Sequence, residues 1–247
     1  MTPEGWRPSA DVTIGPLSSS PYDAFAPVYD DWSAHMTDDV GFYVELARET
    51  KGPLVELAVG NGRVAIPVAR ETGRRVLGID SSPAMLEQAR ERAAAAAVEL
   101  ELREGDMRDL ELEEPAGLIY SPGRSLLHLP TWPDRRRVFE RVHASLRRGG
   151  RFAWNAFVFS PHIAARNDGE WEERNGIRVR IDHVPQDNRI DMTLAASATI
   201  SLWWLNRSEW EALIDVTGFE VEALYGGFGR EPFDATSFEY VWVVRRP

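Results

Sequence analysis

From Pro53 onward, short apolar runs alternate with longer stretches in which apolar residues return every three or four positions. The runs at 54–59, 75–79, 98–102, 117–120 and 151–157 have the length and apolar density of buried strands. The stretches between them, 62–72, 82–97 and 134–147, carry helical spacing. Ser82-Pro83 supplies a cap with proline in the first turn, and Gly149-Gly150 reads as the stop of the helix before it. Strand–helix alternation of this kind predicts an α/β fold, a mostly parallel sheet with helices on both faces.

The flanks behave differently. Residues 1–21 are polar and rich in proline and glycine, which reads as a flexible leader. Residues 22–50 carry helical spacing through Phe25, Val28, Tyr29 and Trp32, then Val40, Tyr43, Val44 and Leu46, and form an N-terminal helical cap on a domain spanning 22–247. After Phe159 the rhythm changes: 177–184 and 189–200 read as antiparallel strands joined by a turn at 185–188. They belong to a small antiparallel insertion at about 160–205, following the fifth strand. A helix at 208–217 and strands at 220–225 and 238–245 close the pattern.

Composition narrows the function classes. The 247 residues carry a net charge of −11, which argues against a broad basic surface for nucleic acid. No apolar stretch approaches the roughly 20 residues a membrane span needs. With no cysteine there is no disulfide, thiolate zinc site or thiol nucleophile. No His-Glu-x-x-His motif and no Asp/Asn cluster suggests a metal. The expectation is a cytoplasmic monomer or homodimer acting on a small molecule, without metal, nucleic acid or membrane.

Three elements then carry chemistry. The strand Leu54-Val55-Glu56-Leu57 breaks into Ala58-Val59-Gly60-Asn61-Gly62, a turn in which glycines let the backbone approach a ligand. Asp80 ends the second strand, where a carboxylate can accept from both hydroxyls of a ribose. Gly105-Asp106-Met107 follows the third, where Asp106 can accept from an adenine amine while Met107 packs on the ring. The carboxylates Glu56, Asp80 and Asp106 suit a cofactor that lacks pyrophosphate and carries a sulfonium.

In this order, Glu56–Gly62, Asp80 and Gly105-Asp106-Met107 resemble class I S-adenosylmethionine-dependent methyltransferases over about residues 22–247. The resemblance implies a Rossmann-like seven-stranded sheet and S-adenosylmethionine as cofactor. Ala58, Gly60 and Gly62 would line its methionine end, Asp80 its ribose, and Asp106 with Met107 its adenine. Tyr22, Tyr29, Ser81, Met85 and Ser121 complete the expected cofactor set. Two departures stand out: the usual first glycine of the loop is Ala58, and Ala116-Gly117 replaces an acidic residue often found at the fourth strand. The runs Phe25-Ala26-Pro27-Val28-Tyr29-Asp30, Gly105-Asp106-Met107-Arg108-Asp109, Ser125-Leu126-Leu127-His128 and Gly226-Gly227-Phe228-Gly229-Arg230 are similar to amino-sugar N,N-dimethyltransferases.

Methyl transfer is an in-line displacement, so the protein's task is alignment. His128, past the fourth strand at the ligand-binding edge, is the expected base, and Tyr29 a residue covering the methyl group. For the acceptor, His128, Trp154, Trp171, Trp203, Arg124 and Arg178 are the expected contacts. Alternation along the strand sends Trp203 and Trp204 to opposite faces. Two other readings stay open: an NAD-dependent oxidoreductase, which leaves Gly105-Asp106-Met107 without a role, and a cofactor-binding protein without catalysis.

Overall fold

A computed structural model describes residues 20–174, 176–194 and 198–247. Most of the expected leader, residues 1–19, lies outside the described residues. Two helices come first, α1 (Pro21–Ser33) and α2 (Val40–Glu49). Then follow β1 (Leu54–Leu57), α3 (Ala65–Thr72), β2 (Val76–Asp80), α4 (Pro83–Ala95), β3 (Leu100–Glu104) and β4 (Ala116–Ser121). Next come α5 (Trp132–Ser145), β5 (Leu146–Phe157), α6 (Pro161–Asn167), β6 (Trp171–Arg174), β7 (Ile177–Val184), β8 (Arg189–Leu194) and β9 (Ala198–Trp203). The chain closes with α7 (Arg207–Val216), β10 (Glu220–Tyr225) and β11 (Glu239–Arg245).

Seven strands form one sheet in the order β10-β11-β5-β4-β1-β2-β3. β3, β2, β1, β4 and β5 run parallel, and β11 enters antiparallel between β5 and β10. Alternation along β1 explains the two cores: Val55 and Leu57 pack with Val138, Phe139, Trp210 and Leu213 of α5 and α7, while Leu54 packs with Phe42, Val68 and Leu86 of α2, α3 and α4. The strand order reverses at β1, between β2 and β4, and open α/β sheets bind ligands at such a reversal.

β6, β7, β8 and β9 form a separate antiparallel sheet. Its apolar side, Ile177, Val179, Met192, Leu194 and Ile200, closes on Phe25 of α1, with Tyr22, Val28, Tyr29 and Trp32 around it. Helix α1 is thus held between the small sheet and the mouth of the large one.

Several local boundaries differ from expectation, each for a physical reason. Helix α5 ends at Ser145, and Gly149-Gly150 lie within β5, because buried Leu146 already pairs with Ala116 and Gly149 N–H bonds to the Arg246 carbonyl at 2.8 Å. The third strand starts at Leu100 because Ala97 turns left-handed (φ 52°) and the Val98 N–H closes the helix on Ala93 at 2.9 Å. The stretch expected as one strand over 189–200 is two, β8 and β9, with Ile200 paired to Met192. Helix α6 and strand β6 carry too short a pattern to be read from sequence.

Candidate active site at the C-terminal edge of the sheet

β1 ends at Leu57 and the chain turns through three left-handed residues, Ala58 (φ 55°), Gly60 (φ 54°) and Gly62 (φ 79°). A side chain at Gly60 would stand 3.2 Å from Cε of Met85. Asp80 fastens this turn: its Oδ2 accepts from the Gly60 N–H and its Oδ1 from the Ser82 N–H, each at 2.8 Å. Burial raises the Asp80 carboxyl above the ordinary range, and these N–H donors pull it back. Ser82 caps α4 by accepting from Met85 N–H at 3.2 Å, and its own hydroxyl donates to Asp23 of α1 at 2.6 Å.

The N-terminal cap is bolted to the same loop. Asn61 donates to Asp30, and Gln88 of α4 donates to the Ala26 carbonyl at 2.8 Å. Arg63 forks onto Asp39 at 2.5 and 2.6 Å in a largely buried pair, with a further bond to the Met36 carbonyl. Bidentate Arg–carboxylate geometry of this kind is among the stronger polar contacts a protein makes.

These elements enclose a cavity of about 480 Å³. Tyr22, Tyr29, Ala58, Gly60, Asp80, Ser81, Met85, Gly105, Asp106, Met107, His128 and Trp203 line it, all of them expected from sequence. Sequence reasoning missed Trp32, Arg108, Ser125, Thr199 and Ser201 in the same wall. Asp106 accepts from the Arg108 backbone N–H at 2.8 Å and from its guanidinium at 2.6 Å, and Arg108 reaches on to Asp134 at 3.0 Å. Burial alone would raise the Asp106 carboxyl, but Arg108 outweighs it and holds the group below the usual carboxylate range.

His128 faces Tyr22 across the cavity, with Tyr22 Oη 2.8 Å from Nε2 and the Ser201 carbonyl 3.0 Å from Nδ1. A carbonyl can only accept, so Nδ1 carries the proton and Nε2 accepts from the Tyr22 hydroxyl. Burial pushes His128 down to about 4, against a smaller opposing effect of the Ser201 carbonyl. Burial likewise raises Tyr22 well above its ordinary value, so the phenol stays protonated.

Other expected residues sit elsewhere. Trp154 is fully buried, stacked on Trp242 at 6.0 Å in the core beneath α5 and α7, because the pleat of β5 turns it away from the ligand edge. Trp171 and Arg178 pair with each other on the outer part of the small sheet, guanidinium over ring at 4.8 Å. Arg124 is neutralised by Glu239 at 2.7 Å and does not line the cavity, although its neighbours Gly123 and Ser125 do. Gly62 faces Ile66 of α3, where an added Cβ would meet Cδ1 at 3.0 Å, so it shapes the turn from behind. Glu56 and Ser121 are buried beneath the cavity floor, and Glu56 Oε2 and Ser121 Oγ make no hydrogen bond. Burial raises the Glu56 carboxyl well above the carboxylate range. Trp203 faces the cavity, while Trp204, just past the end of β9, stacks on Phe159 at 4.1 Å.

The wall fits an adenosyl sulfonium. Asp80 keeps free lone pairs at a strand end, Met85, Met107 and Ile79 offer apolar faces for a ring, and Arg108, the cation in the wall, is already paired twice with carboxylates. A pyrophosphate would meet Asp80 and Asp106 instead of free donors, which disfavours the dinucleotide reading.

Sheet order, the helical cap and this ligand edge together define a Rossmann-like methyltransferase fold. Residues 54–150 match the family model described as a methyltransferase domain, a stretch that includes Ala58, Gly60, Asp80, Asp106 and His128 of the cavity wall. No curated protein matches in sequence. Among solved structures, the CcbJ methyltransferase from Streptomyces caelestis is 23% identical, with TM-score 0.79 over 92% of this chain and 98% of that one. An S-adenosylmethionine-dependent methyltransferase from Clostridium acetobutylicum is 14% identical, with TM-score 0.76 over 92% and 99%. The sugar N-methyltransferase KedS8 from Streptoalloteichus is 18% identical, with TM-score 0.66 over 99% and 100%. Among the described residues no helix is long and apolar enough to cross a membrane, and no group of His, Cys, Asp and Glu is placed to hold a metal.

Proposed function

We propose that this methyltransferase moves the methyl group of S-adenosylmethionine onto an amine nitrogen of a small acceptor that enters between α1 and β9. Bound in the cavity, the cofactor supplies an electrophilic methyl on a positively charged sulfur. Asp80 would hold its ribose, Met85 and Met107 its adenine, and the 58–60 turn its methionine end.

The Tyr22–His128–Ser201 chain carries the choice of nitrogen. With His128 near 4, the pair is too weak a base to ionise an alcohol, whereas a neutral amine attacks with its own lone pair. The Tyr22 oxygen gives its proton to His128 and keeps lone pairs for an acceptor N–H. It thereby orients the amine lone pair toward the methyl group, and the methylated ammonium gives up its extra proton to solvent. Tyr29 packs 6.2 Å from Tyr22, ring centre to ring centre, and restricts the approach. Trp203, with the hydroxyls of Thr199 and Ser201 beside it, suits the apolar face and hydroxyls of a sugar ring, and the sugar N-methyltransferase description of KedS8 agrees with an amino-sugar acceptor.

The test is turnover to S-adenosylhomocysteine with paired amines and alcohols, amino sugars included. Amines alone should be methylated. Tyr22→Phe should lower kcat by about 10²-fold or more while S-adenosylhomocysteine affinity is kept. Methylation of the alcohols but not the amines would overturn the proposal.

A further inference from the structure

β9 is the free edge of the small sheet, and alternate residues along such an edge turn their backbone polar groups outward. The carbonyls of Ser201 and Trp203, two positions apart, are both taken by side chains of the main domain. His128 Nδ1 meets the first at 3.0 Å, and Arg135 Nη2 donates to the second at 3.0 Å. Arg135 stands near the start of α5 and is only 9% exposed. Its Nε makes no hydrogen bond, and no carboxylate among the described residues forms an ion pair with it. Glu209 and Asp134 act on it only from a distance, and burial lowers it to about 10. A buried cation without an ion-pair partner is costly. The hydrogen bond its guanidinium makes is to the Trp203 carbonyl, at the point where the insertion rejoins the large domain.

We propose that Arg135 is a positioning residue for the Tyr22–His128 pair: its bond to the Trp203 carbonyl sets the β9 edge so that the Ser201 carbonyl meets His128 Nδ1 and the Trp203 ring lines the acceptor cavity. The ladder to β8 fixes β9 within the small sheet, and these two carbonyl contacts fix that sheet's edge against the main domain. With Arg135 gone, the edge pivots about Ser201, the Nδ1 contact loosens, and His128 is free to take the other tautomer. In that tautomer Nε2 carries the proton and no longer accepts from Tyr22. The consequence for catalysis rests on the amine-methylation reading; the coupling itself is read without any acceptor.

The experiment uses the full chain labelled with 15N-histidine at pH 7.5, where His128 is neutral, with its signals among the five histidines assigned through His128→Gln. In the wild type, the Nδ1–H form should dominate. Arg135→Met should shift the ring nitrogens toward a mixture of tautomers, and Arg135→Lys, which retains a donor, should restore them in part. Affinity for S-adenosylhomocysteine should stay within about twofold in both, because Arg135 does not touch the cofactor wall. With a turned-over amine as acceptor, Arg135→Met should lower kcat in the same direction as Tyr22→Phe but by less, and raise KM as the Trp203 ring shifts. Unchanged His128 nitrogens in Arg135→Met, or a parallel loss of S-adenosylhomocysteine affinity, would overturn the proposal. If Arg135→Met does not fold, Arg135→Gln is judged by the same two readouts. A wild type that methylates no amine would overturn the functional reading alone, leaving the tautomer shift to decide the role of Arg135.

Discussion

The left-handed turn at Ala58 makes a quantitative prediction. Ala58 holds φ 55° where it lines the cavity. For a residue with a Cβ, this conformation costs roughly 1–2 kcal/mol. Ala58→Gly removes that strain but loosens the unfolded chain, at a cost of about 0.4–1 kcal/mol. The net expectation is a gain of roughly 0.5–1 kcal/mol, or about 1–4 °C in Tm for a domain of this size. Ala97 provides the control, since it holds φ 52° at the exposed end of α4, far along the chain from the loop. Ala97→Gly should raise Tm by a similar amount and leave ligand binding untouched, and the two gains should add. Thermal unfolding of the three variants, with and without S-adenosylhomocysteine, measures both effects. A stability loss in Ala58→Gly beside a gain in Ala97→Gly would refute the reasoning, because methyl packing, and not backbone strain, would then govern the site.

The other predictions concern the cap and the buried histidine. Arg63→Met leaves the Asp39 carboxylate, only 7% exposed at its side chain, without its fork. Denaturant unfolding should show a loss of about 3–5 kcal/mol, and cofactor affinity should fall because Arg63 also holds the Met36 carbonyl, and Met36 with α1 closes the cavity. His128 is neutral in the folded protein, with a pKa near 4 against 6.5 when exposed, because burial penalises the imidazolium. The unfolded chain therefore binds the extra proton first. This contribution is complete above pH 6.5 and is lost as pH falls from 6.5 toward 4, by up to about 3 kcal/mol. The difference between wild-type and His128→Asn unfolding profiles should isolate it.

Much of the cavity wall was legible because its signals are local. A strand ending in a glycine turn, and carboxylates at two strand ends, follow from apolar periodicity and turn chemistry within a few residues of each position. The parallel sheet followed from the same alternation, as did the small antiparallel insertion. Local signals failed where pairing over a distance decided the outcome, as when Leu146 joined β5 instead of extending α5.

The sequence by itself determined the layers of the fold, the acidic strand ends and the residue types available to a sulfonium cofactor. Tertiary structure alone decided which aromatic reaches the cavity. Alternation separates the two sides of a strand without saying which side is covered, so Trp154 went to the core and Trp203 to the cavity. It alone also joined Tyr22 to His128 across 106 residues, and His128 to Ser201 across 73. No local pattern encodes such contacts, because they exist only once a helical cap and an inserted sheet meet over the large sheet's edge.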